Sequence, residues 1–237
     1  MRTLVILPGW GGTKDTWQTF VDLAKFDFDV QVINLPCFGD EPCPSEVWGV
    51  EKYAEFVKSK VHKVHKVTIL GHSFGGQIAA YFVAHNPEMV DKLILSGPAV
   101  FRPKMSSIKH LVYLLAKIGK IFFKLPHIGK YENQIKNIFY NLIHAKDYHE
   151  SAGIKRDIFK KVIKEDLTTI IPMIKAPTLI IWGSKDQYLP VSDAYKMHKL
   201  IPNSKLEIIK DGTHGLHLTQ PENLLKIIKQ FLNDNAS

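Results

Sequence analysis

Cysteine is scarce in this chain. Two occur in 237 residues, Cys37 and Cys43, and their spacing matches neither a metal-ligand nor a redox pattern. That excludes a disulfide-stapled scaffold and a zinc module, and free thiols in a cytoplasmic protein are expected. Long apolar runs are missing as well. No uninterrupted stretch approaches the roughly 18 to 20 residues that span a bilayer, so no transmembrane segment is expected. The first apolar run, Leu4-Val5-Ile6-Leu7, is too short for a signal peptide and meets Pro8-Gly9 at once. Internal repeats and low-complexity tracts are absent. Negative charge is thin in one place. Residues 101–171 hold 14 Lys and Arg against 6 Asp and Glu, whereas the rest of the chain holds 17 of each. The net charge of +8 therefore belongs to one segment. A neutral body with one basic segment argues against a nucleic-acid protein and for a local surface or a solvated face.

What is present is an ordinary globular composition, 45% apolar, in a length suited to one large α/β domain. Apolar runs at 3–7, 28–34, 66–70, 92–96, 178–182 and 205–209 read as strands. Helical patterning lies between them at 15–24, 50–61, 77–85, 191–200 and 221–232. Strand alternating with helix predicts a parallel sheet covered on both faces. Residues 101–171 interrupt the alternation with helical periods at 105–124, 135–145 and 154–174. The predicted organisation is a core of residues 1–100 and 172–237, with a helical cap at 101–171 inserted after the fourth strand.

Gly71-His72-Ser73-Phe74-Gly75 stands between a predicted strand and a predicted helix. A Gly-x-Ser-x-Gly in that setting is a nucleophile elbow. The turn is so tight that side chains two residues to either side of the serine would collide, and Gly71 and Gly75 remove them. A serine hydroxyl needs a base to accept its proton and a third group to orient that base. Loops at the C-terminal ends of parallel strands are where such groups converge. The loop after the fifth strand carries Asp186, and the loop after the sixth carries Asp211, His214 and His217.

The order Ser73, Asp186, His214 resembles that of the α/β-hydrolase-fold serine hydrolases. So do Leu7-Pro8-Gly9-Trp10-Gly11-Gly12, Leu35-Pro36-Cys37-Phe38-Gly39, Gly183-Ser184-Lys185-Asp186 and Gly212-Thr213-His214. The resemblance implies an α/β-hydrolase fold. It implies a six-stranded, mainly parallel sheet in the order 2-1-3-4-5-6, without the two strands that usually precede the first. It implies Ser73 as nucleophile, His214 as general base and Asp186 as the group that orients the imidazole. The backbone N–H groups of Trp10 and Phe74 would form the oxyanion hole. His217 is the rival base and Asp211 the rival acid, while His72 reads as a packing residue. His62, His65, His110, His144 and His149 show no metal spacing, and neither cofactor nor metal is expected. Trp17, Trp48 and Phe38 read as core or pocket wall. The chain departs from the family where Pro8 replaces a usual histidine and Cys37 a usual turn glycine.

A serine at the elbow leaves acyl transfer: hydrolysis of a carboxylic ester or thioester through an acyl-enzyme. The alternatives are carbon–carbon bond hydrolysis, acyltransfer, or a non-catalytic binding module of the same fold. The expected partner is a small-molecule ester. The basic cap would allow one that carries an acyl chain or is bound to an anionic carrier.

Overall fold

A computed structural model describes residues 1–61, 66–102 and 152–234. The chain divides into two compact units, Met1–Phe101 with Gly153–Ser237, and Arg102–Ala152. The first is an α/β sandwich built on a six-stranded sheet in the order β2-β1-β3-β4-β5-β6. The strands are β1 (Arg2–Leu7), β2 (Phe28–Val32), β3 (Val67–His72), β4 (Val90–Ser96), β5 (Thr178–Gly183) and β6 (Ser204–Ile209). Every neighbouring pair is parallel. The expected strand order therefore holds.

Apolar residues occupy both faces of the inner strands because both faces are covered. Val5, Leu7, Ile69, Leu93, Leu95, Ile180 and Trp182 point into one core. They meet α2 (Val50–Lys60), α3 (Ser73–His85), α4 (Gly153–Val162) and α5 (Ser192–Leu200). Leu4, Ile6, Leu70, Ile94, Leu179 and Ile181 point the other way. There they meet α1 (Gln18–Ala24), the one-turn helix α6 (Leu216–Thr219) and α7 (Pro221–Asn233). Leu224, Ile228 and Leu232 give α7 an apolar stripe spaced four residues apart. Each fully buried aliphatic of this kind contributes about 1.5 to 3 kcal/mol.

Three expectations need correction. The helix predicted from residue 77 begins four residues earlier, at Ser73. Two glycines in this stretch, Gly75 and Gly76, lower its intrinsic helix propensity, and packing overrides that deficit. The single helix predicted at 154–174 ends at Val162. The Asp166 carboxylate then accepts Thr168 N–H at 2.8 Å, and Pro172 sits in a separate short 3-10 turn at Ile171–Met173. This stretch belongs to the first unit. Leu167 N–H donates to Val100 O at 2.9 Å, and the Gln77 amide donates to Val162 O and Glu165 O at 3.2 and 3.0 Å. The expected helices at 105–124 and 135–145, and with them most of the expected cap, lie outside the described residues.

The third correction concerns cysteine. Cys37 and Cys43 are joined as a disulfide rather than free. Cys37 takes a φ of 77°, the conformation a turn glycine would supply, and its N–H points at Glu41 O and Pro42 O. The turn thereby brings the two Cα atoms within 4.1 Å. Among the described residues, no helix is long and apolar enough to cross a membrane.

Candidate active site

Ser73 stands between the last residue of β3 and the body of α3 with a φ of 52°, a left-handed conformation that few non-glycine residues adopt. Its surroundings enforce this. A Cβ on Gly75 would lie 2.1 Å from Leu7 O, and one on Gly71 would lie 2.7 Å from the backbone of Gly75 and Gly76. The loop after β1 comes equally close, since a Cβ on Gly9 would meet Ser73 Cβ at 3.2 Å. Loop, elbow and helix start are thus in backbone contact, and the serine is aimed by what the glycines leave out.

Asp186 and His214 are brought together from two loops. The β5 and β6 ends touch at Gly183, whose Cβ position is occupied by Gly212 O at 2.3 Å. Lys185 N–H donates to Gly212 O at 2.8 Å, and Asp211 N–H donates to Ser184 Oγ at 2.9 Å. Across this junction His214 Nδ1–H donates to Asp186 Oδ2 at 2.7 Å. The other carboxylate oxygen accepts Tyr188 N–H at 2.8 Å and Leu189 N–H at 2.9 Å. With its side chain 1% exposed and both oxygens engaged, Asp186 has one orientation. Its bond fixes the Nδ1–H tautomer of His214 and leaves Nε2 with a lone pair able to take a proton. Gly97, following β4, lies beneath the pair: a Cβ there would meet His214 Nδ1 at 3.3 Å and Asp186 Oδ2 at 3.4 Å.

The rival residues are otherwise engaged. Asp211 is exposed and pairs with Lys185 at 2.7 Å. His217 is buried with its ring stacked on Trp17, centroids 4.1 Å apart and planes within 7°. Burial, with a smaller contribution from His214, pushes its imidazole down to about 4, so it is neutral at ordinary pH. Among the described residues, its Nδ1 and Trp17 Nε1 find no hydrogen-bond partner. Burial also holds His72 well below the ordinary range, and His214 and His217 add to the effect.

Trp10 and Phe74, whose backbone N–H groups are the candidate oxyanion donors, are side by side with ring centroids 5.4 Å apart. Phe74 is the second residue of α3, so its N–H has no partner within the helix. Phe38 packs on Trp10 at 5.0 Å and Tyr53 on Phe74 at 5.1 Å. Trp48 packs on Tyr53 from outside, at 5.5 Å. Two neighbours were not legible in the sequence. Phe159 of α4 lies 4.8 Å from Trp10, and Tyr188 lies 5.1 Å from His214. The tertiary fold brings Phe159 to Trp10, and nothing in the local spacing marks Tyr188. Among the described residues no group of His, Cys, Asp or Glu could hold a metal ion. The histidines at 62, 65, 110, 144 and 149 lie outside them.

A left-handed serine, a tautomer-fixed histidine and a buried aspartate thus stand at the same end of the sheet. A model of the serine aminopeptidase S33 family matches residues 2–221. The chain belongs to this family. The S33-family chain is similar to human monoacylglycerol lipase ABHD6, 24% identical over 259 residues that cover 97% of this chain and 75% of that protein. It is also similar to a Bacillus subtilis protein named as a putative 2-succinyl-6-hydroxy-2,4-cyclohexadiene-1-carboxylate synthase. That match is 24% identical, covering 98% of this chain and 90% of the other. Among solved structures, the esterase EaEST of Exiguobacterium antarcticum superposes with a TM-score of 0.73 at 24% identity, over 99% of this chain and 92% of that one. The S33-family chain thus has the α/β-hydrolase fold, and it is a hydrolase by family.

Proposed function

We propose that this hydrolase cleaves a carboxylic ester or thioester through an acyl-enzyme at Ser73. The observation that carries the reading is the Asp186–His214 hydrogen bond at the sheet edge where Ser73 holds its left-handed turn. Ser73 Oγ attacks the carbonyl carbon while its proton passes to His214 Nε2. Asp186 holds the imidazole and stabilises the imidazolium. The carbonyl oxygen becomes an oxyanion facing the N–H groups of Trp10 and Phe74, each such donor contributing about 3 to 4 kcal/mol. The carbon–oxygen or carbon–sulfur bond breaks, and His214 returns the proton to the leaving alcohol or thiol. A water then repeats the sequence on the acyl-enzyme, releasing the acid and restoring Ser73. No step calls for a metal or cofactor.

Monoacylglycerol lipase and esterase among the similar proteins support an ester substrate; carbon–carbon bond hydrolysis on the same three residues is the second reading. The basic character of residues 101–171 supports a substrate with an acyl chain or on an anionic carrier. Reversing Lys109, Lys117, Lys120 and Lys124 should then slow turnover of a carrier-bound ester at low salt. The Cys37–Cys43 bond removes the support that free thiols would lend to a cytoplasmic location, and thiol titration of protein taken directly from cells decides it.

The test is hydrolysis of p-nitrophenyl esters from acetate to decanoate, with Ser73→Ala as the blank. Turnover should vanish in the variant, and a fluorophosphonate should label Ser73 in the wild type. Folded wild-type protein that neither turns over an ester nor takes the label overturns the reading. Labelling without ester turnover favours the carbon–carbon reading.

A further inference from the structure

His72 has no part in the steps above, yet it adjoins Ser73, His214 and the loop that carries Trp10. It ends β3 opposite Ser96 of β4 in the parallel register and precedes Ser73 in the chain. Its Nδ1 lies 2.9 Å from Ser96 O. A carbonyl can only accept, so Nδ1 bears the proton and the ring has one orientation. The residue is 6% exposed, and its flat ring meets three other segments. Its centroid is 4.8 Å from that of His214 and 4.9 Å from that of His217. A Cβ on Gly9, next to the candidate oxyanion donor Trp10, would meet His72 Cδ2 at 3.1 Å. On the far side His217 rests on Trp17, a fully buried member of the second core, so the stack has a firm back.

One buried imidazole thus abuts the loop after β1, the end of β4 and the loop after β6, and is bonded covalently to the nucleophile. None of these segments is adjacent to another in sequence. Ser73 is fixed by its glycines and Asp186 by its three hydrogen bonds. Among the described residues His214 is hydrogen-bonded to Asp186, and its ring lies against Gly97, His72 and Tyr188. Of the two rings, Tyr188 is exposed and His72 is buried, so His72 is the firmer contact.

We propose that His72 is a positioning residue: locked by Ser96 O, its ring sets the imidazole of His214 and the Gly9 loop against Ser73. The inference rests on the ester-hydrolase reading above. A displacement of about 1 Å in such a site can lower a rate by about 100-fold, so the effect belongs in kcat.

Two variants separate the contributions. His72→Asn keeps an N–H for Ser96 O and removes the ring that touches His214. His72→Phe keeps a ring and removes the bond that orients it. On p-nitrophenyl butyrate, His72→Asn should lower kcat about tenfold or more with KM within about twofold, and should slow fluorophosphonate labelling of Ser73 in parallel. His72→Phe should recover part of that loss. Melting temperatures identify where each variant is folded, and if one fails to fold the other decides. Variants that melt earlier but keep kcat within about twofold while folded would reduce His72 to a packing residue. A raised KM at unchanged kcat would make it a substrate contact. Either result overturns the proposal. Wild-type protein that takes no label would overturn the underlying hydrolase reading with it, and the two failures are told apart by that control.

Discussion

Two tight turns at the same end of the sheet are held by opposite means. The elbow around Ser73 keeps its shape because side chains are missing. Gly71, Gly75 and Gly76 would each drive a Cβ to within 2.7 Å of a neighbour or closer. The strap of residues 35–43, which carries Phe38 to Trp10, is held by side chains that are present. Tyr53 Oη–H donates to Pro36 O at 3.2 Å, and the Asn34 carboxamide accepts Lys14 N–H at 2.8 Å and donates to Asp40. Lys60 pairs with Glu41 at 2.7 Å, and Cys37 is bonded to Cys43. A geometry defined by close backbone packing has no slack. One defined by several separate bonds can lose any of them and persist. The elbow should therefore fail abruptly and the strap gradually.

The largest effect is expected from Gly75→Ala. The new Cβ would meet backbone oxygens of Leu7 and Pro8 at 2.1 and 2.4 Å, and β1, paired on both sides, cannot withdraw. A loss of about 3 kcal/mol or more and no measurable Ser73 labelling should follow, read by urea denaturation and a fluorophosphonate. A stable, labelled Gly75→Ala protein would break the contrast at its root.

Acid should act next, and between pH 7 and pH 4.5 on the elbow side. His217 and His72 are held neutral in the fold below their ordinary range, so the unfolded chain binds more protons as pH falls. Their contribution is complete above about pH 6.5 and drains away below it, for His217 as the pH approaches about 4. For His217 this is on the order of 3 kcal/mol. Urea midpoints should fall between pH 7 and pH 4.5, and His217→Phe should flatten that slope. An unchanged slope would take His217 out of the account.

The smallest effect belongs to the strap. Replacing Cys37 and Cys43 together by serine frees a short loop in the unfolded chain, worth about 2 kcal/mol by loop entropy. The other bonds of the strap should keep ester turnover within a few-fold of wild type. A loss of activity as steep as that of Gly75→Ala would mean that the strap, too, has no redundancy.

The same contrast separates what was legible in the sequence from what was not. Buried parallel strands are continuous apolar runs, so all six strands could be read; their order followed from the family resemblance, and the glycine spacing at the elbow named its own turn. Asp186 and His214 could be read from their stations after β5 and β6, because strand ends fix where loops converge. The Cys37–Cys43 bond was not legible. Six residues of separation say nothing about a chain that doubles back through a left-handed Cys37. The end of α4 at Val162 was missed because apolar spacing continued past it, while Asp166 and Pro172 had already turned the backbone. The stack of Trp17, His217 and His72 joins three distant segments, and no local pattern marks it.

The parallel pairing of β4 with β5 has a further consequence. It sets Leu93 beside Thr178, so the sheet is completed only after a long connection has been closed. Loop-closure entropy grows with the logarithm of length, and each doubling of such a connection adds about 0.6 kcal/mol. In closure entropy alone, a change in the length of that connection is thus a small perturbation, while the register of the sheet is set by the strands themselves.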